Sequence, residues 1–153
     1  MQNLHILNSK EVKQLREKIV EQFGTFFSGE YAFLQSKKNK IYLVSRDLGK
    51  IALENLIIER VGLYVAEVNE AEVRLSKEGA QLLGKEKGLK NVISLTKEEL
   101  KAYFYGVDVK KDLGTASRMI LLQYKKDIIG CAKYKEGKIL NYLPKIHRGE
   151  VIL

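Results

Sequence analysis

Three apolar stretches near the end of the chain are separated by very short polar turns, and this spacing constrains the fold more than any other feature. The stretches are RMILLQY, DIIGCAKY and KILNYL, and the turns between them are KKD and KEGK. Turns this short join strands that run antiparallel and lie side by side. The pattern therefore predicts a three-stranded antiparallel meander in the last third of the chain.

The first part of the chain begins with a helical pattern and continues with a strand pattern. Asn8 followed by Glu11 has the sequence of a capping box, and apolar residues then recur at helical spacing as far as Gly24. The stretches YAFLQ and IYLVS follow, separated by the polar segment SKKNK. We therefore expect an N-terminal helix followed by a β-hairpin.

Mixed patterns continue up to residue 89. RDLGKIALENL predicts a short helix, and VGLYVAEV predicts a strand. VRLSKEGAQLL predicts a strand that leads into a helix with Ser76 as its N-cap. Residues 1–89 are accordingly predicted to form a mixed α/β domain.

A cluster of Gly and Lys, GKEKGLK, separates this part from the rest, and we place the domain boundary near residue 89. After it, NVISL predicts a strand and TKEELKAYF a short helix with Thr96 as N-cap. YGVDVKKDLGTASR predicts a loop with a brief strand at its start. With the meander, residues 90–153 form a second, mainly β domain, and the fold class is α+β.

Residue types that carry enzyme chemistry are sparse. His5 and His147 lie near opposite ends of the chain, so no zinc site is expected, and Cys131 sits in an apolar run typical of a buried small side chain. No P-loop and no G-x-G-x-x-G motif is present. We expect no catalytic residue, no metal and no cofactor. One cysteine and the lack of a long apolar run predict a cytoplasmic protein with no membrane partner.

Positive charge is concentrated near the C-terminus. The chain has a net charge of +8, and residues 110–148 contain ten basic residues but only three acidic ones. Lys133 and Lys135 alternate along one predicted strand, and Lys138 begins the next, so their charges can collect on one side of the meander. Solvated lysines on an edge strand would explain each of them singly. Together they favour an anionic partner.

Aromatic and amide side chains are interspersed with these cations. Tyr124, Tyr134 and Tyr142 lie among the lysines, and Asn141 offers a donor and an acceptor to a base edge. Unpaired RNA bases stack on aromatic rings while cations hold the phosphates. The segment therefore predicts RNA as the partner.

The order of these elements resembles a PUA domain, the small RNA-binding β-barrel named after pseudouridine synthases and archaeosine transglycosylases. The segments that carry the resemblance are NVISLTKEELKAYFYGVDVKKDL and RMILLQYKKDIIGCAKYKEGKIL. Within them the matching positions are Gly106, Asp108, Val109 and Gly130. The resemblance implies a PUA-like small β-barrel after the N-terminal α/β domain.

The similarity extends over about residues 8–145 to the Nip-seven-type ribosome-biogenesis proteins, in which an α/β domain precedes a PUA domain. It rests on KIYLVSRDLGKIA and VGLYVAEVNEAEVRLSKEGAQLL. The chain is also similar, including KYKEGKILNYLPK, to an archaeal PUA-containing extension of Sun-type RNA cytosine-5 methyltransferases. It has neither a glycine-rich S-adenosylmethionine loop nor the two cysteines of those enzymes.

The resemblance implies that RNA is bound near the Gly106 loop and by the last strands. The segment KKDLGTASRM departs from the family by being more polar than usual. Combined with the charge pattern, the predicted RNA-binding residues are Gly106, Lys110, Lys111, Arg118, Lys133, Lys135, Lys138, Asn141, Lys145 and Arg148.

The sequence thus predicts a non-catalytic RNA-binding protein that acts on ribosomal RNA or tRNA during maturation and ribosome biogenesis. One alternative is an adaptor whose N-terminal domain binds a ribosome-assembly protein. Another is an RNA-binding accessory to a separate RNA methyltransferase. An enzyme that acts on RNA is the third.

Overall fold

The computed structural model describes residues 4–45, 62–141 and 149, and these form two five-stranded sheets. The first sheet is antiparallel, and its strands follow one another in chain order. Its strands are β1 (His5–Ile6), β2 (Tyr31–Gln35), β3 (Lys40–Ser45), β4 (Leu63–Val68) and β5 (Val73–Leu75). The helices in this part are α1 (Ser9–Phe23) and α2 (Lys77–Leu83).

Helix α1 begins and ends where its sequence predicts. The Asn8 side chain accepts a hydrogen bond from the Glu11 N–H at 2.9 Å, and the Glu11 carboxylate accepts one from the Asn8 N–H at 3.0 Å. This reciprocal pair confirms the capping box. The helix ends at Gly24, and its buried face packs on the sheet through Leu15, Ile19 and Phe23.

The second sheet has the strand order β6-β8-β9-β10-β7 and is antiparallel except between β6 and β8. Its strands are β6 (Val92–Ser94), β7 (Val109–Lys110), β8 (Arg118–Tyr124), β9 (Asp127–Lys135) and β10 (Lys138–Leu140). The predicted meander is thereby confirmed. Helix α3 (Lys97–Tyr105) connects β6 to β7, and Thr96 caps it as predicted.

Two hydrophobic cores meet at this second sheet. Residues that alternate along β8 and β9, such as Met119 and Cys131, pack against α1 and α2 in a core shared by both halves of the chain. Their neighbours Ile120 and Ala132 face the other way, into a core covered by α3. Cys131 is buried as predicted, and burial raises the pKa of its thiol to about 12.

The described residues do not test every prediction made from the sequence. The helix predicted for RDLGKIALENL lies outside the described residues. The mixed α and β content is confirmed, whereas the division at residue 89 stays a prediction. Among the described strands the second sheet is an open ladder with β6 and β7 at its edges, and no pair of hydrogen-bonded strands closes it into a ring. No helix in the described ranges is both long and apolar enough to span a membrane.

Candidate RNA interface

Three exposed lysines lie side by side across three neighbouring strands. Lys138 of β10 is directly opposite Lys110 of β7 on one side and Lys135 of β9 on the other. Directly paired residues project from the same face of a sheet, and neighbouring strands are about 4.8 Å apart, so the three span about 10 Å. We call Lys110, Lys138 and Lys135 the lysine row.

The turn between β9 and β10 sets this alignment. Glu136 and Gly137 have φ angles of 51° and 77°, the two positive values that a two-residue type I′ hairpin turn requires. The next pairs along the strands join Ile139 to Tyr134 and to Val109, and all three of these side chains are buried. Because side chains alternate between faces, burying this apolar set sends the lysine row to the outside.

Within the described ranges, the ammonium groups of the lysine row form no ion pair. None of its ammonium groups lies within 4 Å of a carboxylate among the residues that the structure describes. Like charges directly opposite one another on a sheet are destabilising. An anion placed across the row would remove that repulsion, so the arrangement suits a ligand with several negative charges.

Two other predicted lysines do have acidic partners. The Lys133 ammonium contacts the carboxylate of Glu72, and Lys111 contacts that of Glu99 at 3.0 Å. Burial pushes the pKa of Glu99 upward, but hydrogen bonds from the Thr96 N–H and from Lys111 outweigh this and hold it below its ordinary value. Both lysines therefore serve ion pairs within the fold.

Arg118 lies at the inner side of the second sheet. It is directly opposite the buried Tyr134, and its guanidinium carbon is 5.3 Å from the centre of that ring. The guanidinium donates to the Ala116 carbonyl at 2.9 Å, while the Tyr134 hydroxyl donates to the Gly114 carbonyl at 2.7 Å. Arg118 thus holds the loop before β8 and does not extend the lysine row.

Gly106 and Asn141 shape the loop after α3. Gly106 ends the helix with a φ of 88°, a left-handed conformation that glycine adopts without strain. The Asn141 amide nitrogen donates to the carbonyls of Tyr103 and Val107 at 2.7 and 3.1 Å, and its backbone N–H donates to the Asp108 side chain at 2.8 Å. The donor group of Asn141 is therefore used to position the loop.

Two predicted residues, Lys145 and Arg148, lie outside the described residues, as does Tyr142. The residues that flank this segment both bond to the end of α3: Asn141 donates to the Tyr103 carbonyl, and the Gly149 N–H donates to the Phe104 carbonyl at 2.7 Å. Tyr124 is half-buried, with the ammonium of Lys125 at 5.5 Å from its ring centre.

Sequence reasoning missed one exposed pair. Tyr105 and Val107, on either side of Gly106, are 59% and 56% exposed. Tyr105 directly follows the predicted helical stretch TKEELKAYF and begins YGVDVKKDLGTASR, for which the sequence predicts a loop with a brief strand. Its place directly before a helix-ending glycine is the signal that could have marked it as exposed.

The rest of the described structure contains little that resembles a catalytic or metal centre. Among the described residues, no three His, Cys, Asp or Glu side chains are grouped so that they could hold a metal ion. A cleft of about 560 Å³ lies between α1 and the first sheet. Its charged lining consists of one lysine and three glutamates, Lys18, Glu11, Glu17 and Glu21. Such a lining does not suit a polyanion.

Comparison with known proteins places the chain near enzymes that methylate ribosomal RNA. Two proteins with the name ribosomal RNA small subunit methyltransferase F are similar to the chain. The one from Aeromonas salmonicida is 24% identical over 139 residues, covering 91% of this chain and 28% of the relative. The one from Vibrio campbellii is 33% identical over 105 residues, covering 61% and 21%. The chain thus spans less than a third of the length of these relatives.

A protein-family model matches the C-terminal part of the chain. Residues 90–148 match the family described as the Methyltransferase RsmF PUA domain. This match supports the predicted relation to PUA domains of RNA methyltransferases, while the likeness to Nip-seven-type proteins and to an archaeal group stays a prediction. The matched segment includes α3, the second sheet and the lysine row. Residues 90–148 are therefore similar to the PUA domain of this methyltransferase family.

Proposed function

We propose that this protein is a non-catalytic RNA-binding protein whose lysine row holds the RNA backbone. The observation that carries the proposal is the direct alignment of Lys110, Lys138 and Lys135 without a neighbouring carboxylate among the described residues. Lysine ammonium groups bind phosphates as point charges and release counterions from the nucleic acid. The affinity is therefore expected to fall steeply as salt is added.

The RNA is ribosomal RNA or tRNA undergoing maturation, and the protein acts as an accessory in the cytoplasm. Support for ribosomal RNA comes from the relatives, whose name describes methyltransferases of small-subunit ribosomal RNA. The matched family is a PUA domain and not a catalytic domain. In this proposal residues 90–153 hold the RNA, and residues 1–89 position it relative to an RNA methyltransferase or another assembly partner.

Neutralising the lysine row tests the proposal. We expect the variant K110Q/K135Q/K138Q to bind a ribosomal RNA fragment about 100-fold more weakly at about 0.1 M salt, because three phosphate contacts are lost. The slope of log affinity against log salt should become shallower by about 2. Fluorescence anisotropy with labelled RNA across a salt series measures both quantities.

A matched control removes the same charge elsewhere. Lys13, Lys37 and Lys38 are exposed on the first half of the chain, and K13Q/K37Q/K38Q should keep the salt slope of the wild type. Equal losses in the two triple variants would show that only net charge matters and would contradict the proposed interface. A wild-type protein without salt-dependent RNA affinity would favour the adaptor alternative instead.

A further inference from the structure

Tyr105 is an aromatic side chain that the fold leaves in solvent. It is 59% exposed, and among the described residues its ring and hydroxyl have no partner. Tyr103, two residues earlier, is 2% exposed and belongs to the core beneath α3. The helix therefore buries one tyrosine and presents the other.

The backbone that carries Tyr105 is held in place by hydrogen bonds. The Val107 N–H donates to the Ala102 carbonyl at 3.0 Å, and Asn141 donates to the carbonyls of Tyr103 and Val107. These bonds fix the backbone on both sides of Gly106. A ring on a rigid support loses little conformational freedom when a ligand stacks on it.

Charges around this loop decide which part of an RNA can lie there. Asp108 is exposed three residues after Tyr105 in the chain, and the C-terminal end of α3 carries the negative end of the helix dipole. A phosphate is disfavoured at such a place, whereas an uncharged base is not. Lys110 lies five positions after Tyr105 in the chain, a span of at most about 18 Å. A few nucleotides cover that distance.

We infer that Tyr105 stacks on an unpaired base of an RNA whose backbone lies on the lysine row. This inference rests on the proposed function and narrows the ligand to RNA with an unpaired nucleotide beside the bound backbone. Val107 adds an apolar contact to the edge of the same base. Stacking on an aromatic side chain is largely independent of base identity, so the position selects an unpaired base and not a sequence.

Two RNAs and two variants test the inference. One RNA is a hairpin with a single-stranded extension, and the other is identical except that the extension consists of abasic nucleotides. Tyr105→Leu should weaken binding of the first RNA about 10-fold and leave binding of the second unchanged, because only the first offers a base to stack. Tyr105→Phe keeps the ring and should bind both RNAs like the wild type.

The controls separate this inference from the proposed function. Thermal unfolding of each variant reports whether the fold is intact, and the salt slope should be the same in Tyr105→Leu and the wild type. Equal weakening of both RNAs, or no weakening of either, would overturn the stacking role while leaving the lysine row in place. Loss of the difference between K110Q/K135Q/K138Q and its control would instead overturn the proposed function.

Discussion

The lysines on and next to β7, β9 and β10 fall into two sets that the sequence does not distinguish. Lys111 and Lys133 each contact a glutamate from another part of the fold, Glu99 in α3 and Glu72 in the turn before β5. The lysine row has no such contact among the described residues. A count of charges along the chain therefore overstates the charge available to a ligand, because a cation that already has a carboxylate is less available to a phosphate.

Neighbours in sequence can belong to different sets. Lys110 faces outward from β7, whereas Lys111 bonds with its backbone N–H to the Gly137 carbonyl and with its side chain to Glu99. Lys133 and Lys135 share a face, but only Lys133 is close enough to the first half of the chain to contact Glu72. The partner across space, not the position in the chain, decides whether a lysine is available to a ligand.

Reversing the central charge of the lysine row is expected to have the largest effect of the substitutions that test the comparison between unpaired and paired lysines. Lys138→Glu places a carboxylate opposite both Lys110 and Lys135, so all three phosphate contacts are lost and RNA affinity falls about 100-fold at about 0.1 M salt. The new cross-strand pairs replace two repulsive ones and raise the free energy of unfolding by about 1 kcal/mol. RNA titration and urea denaturation measure the two effects.

Lys138→Glu is expected to lower RNA affinity and to raise the free energy of unfolding, and a loss of affinity through misfolding would lower both. Lys138→Gln is the control, and it should weaken RNA binding only about 5-fold, because one contact is lost. If Lys138→Glu destabilises the protein, the lysines of the row do not repel one another as the pairing implies.

Removing the carboxylate that pairs with a lysine should make that lysine available to RNA, like the lysines of the row. Glu72→Gln removes the partner of Lys133, which lies two residues from Lys135 on the same face. RNA affinity should rise about 5-fold and the salt slope should steepen by about 0.7. The free energy of unfolding should fall by about 1.5 kcal/mol, because a hydrogen bond to a charged group is lost.

Glu70→Gln provides the matched control for this release. Glu70 is exposed in the same turn, and no lysine or arginine of the described residues lies within 4 Å of its carboxylate. Both substitutions remove one negative charge, so an equal gain of affinity in the two variants would attribute the effect to net charge alone.

Removing the other paired lysine should have the smallest effect on RNA. Lys111→Gln is expected to change RNA affinity less than about 2-fold, since its charge is already neutralised by Glu99. The pKa of Glu99 lies below its ordinary value in the folded state, so this carboxylate stabilises the fold above the unfolded pKa of about 4.3 and loses that contribution as pH falls.

This pH dependence provides the measurement for Lys111→Gln. Without the ammonium the folded pKa of Glu99 moves closer to its ordinary value, so stability should decline less steeply below about pH 5. Denaturant unfolding at a series of acidic pH values compares the variant with the wild type and with Lys101→Gln, an exposed control on α3. An unchanged acid slope in Lys111→Gln would show that the pair does not stabilise the fold.

The sequence predicted those elements of the fold that depend on residues close together in the chain. Asn8 with Glu11 and Thr96 with Glu99 form the expected capping boxes, because this motif involves residues only three apart. The meander was also predicted, since two short turns leave adjacent strands little choice but to pair. The parallel pairing of β6 with β8 was not, because it joins segments separated by α3 and β7.

Site residues were harder to predict than elements. Asn141 suggested a group that reads bases, yet its amide donates to carbonyls at the end of α3. Arg118 suggested a phosphate contact, yet it lies against Tyr134 at the inner side of the sheet. Each of these roles depends on a contact between residues more than ten positions apart, or on which face of a sheet a residue occupies, and neither can be read from spacing alone.

The sequence by itself determined that a basic, mainly β segment follows a mixed α/β segment, because composition and hydrophobic period are properties of neighbouring residues. The tertiary structure alone decided which cations stay available to a ligand. It did so by bringing Glu72 to Lys133 and Glu99 to Lys111 while leaving the lysine row together on an open face. The reason is physical: electrostatic interaction depends on distance in space, and only the folded chain sets those distances.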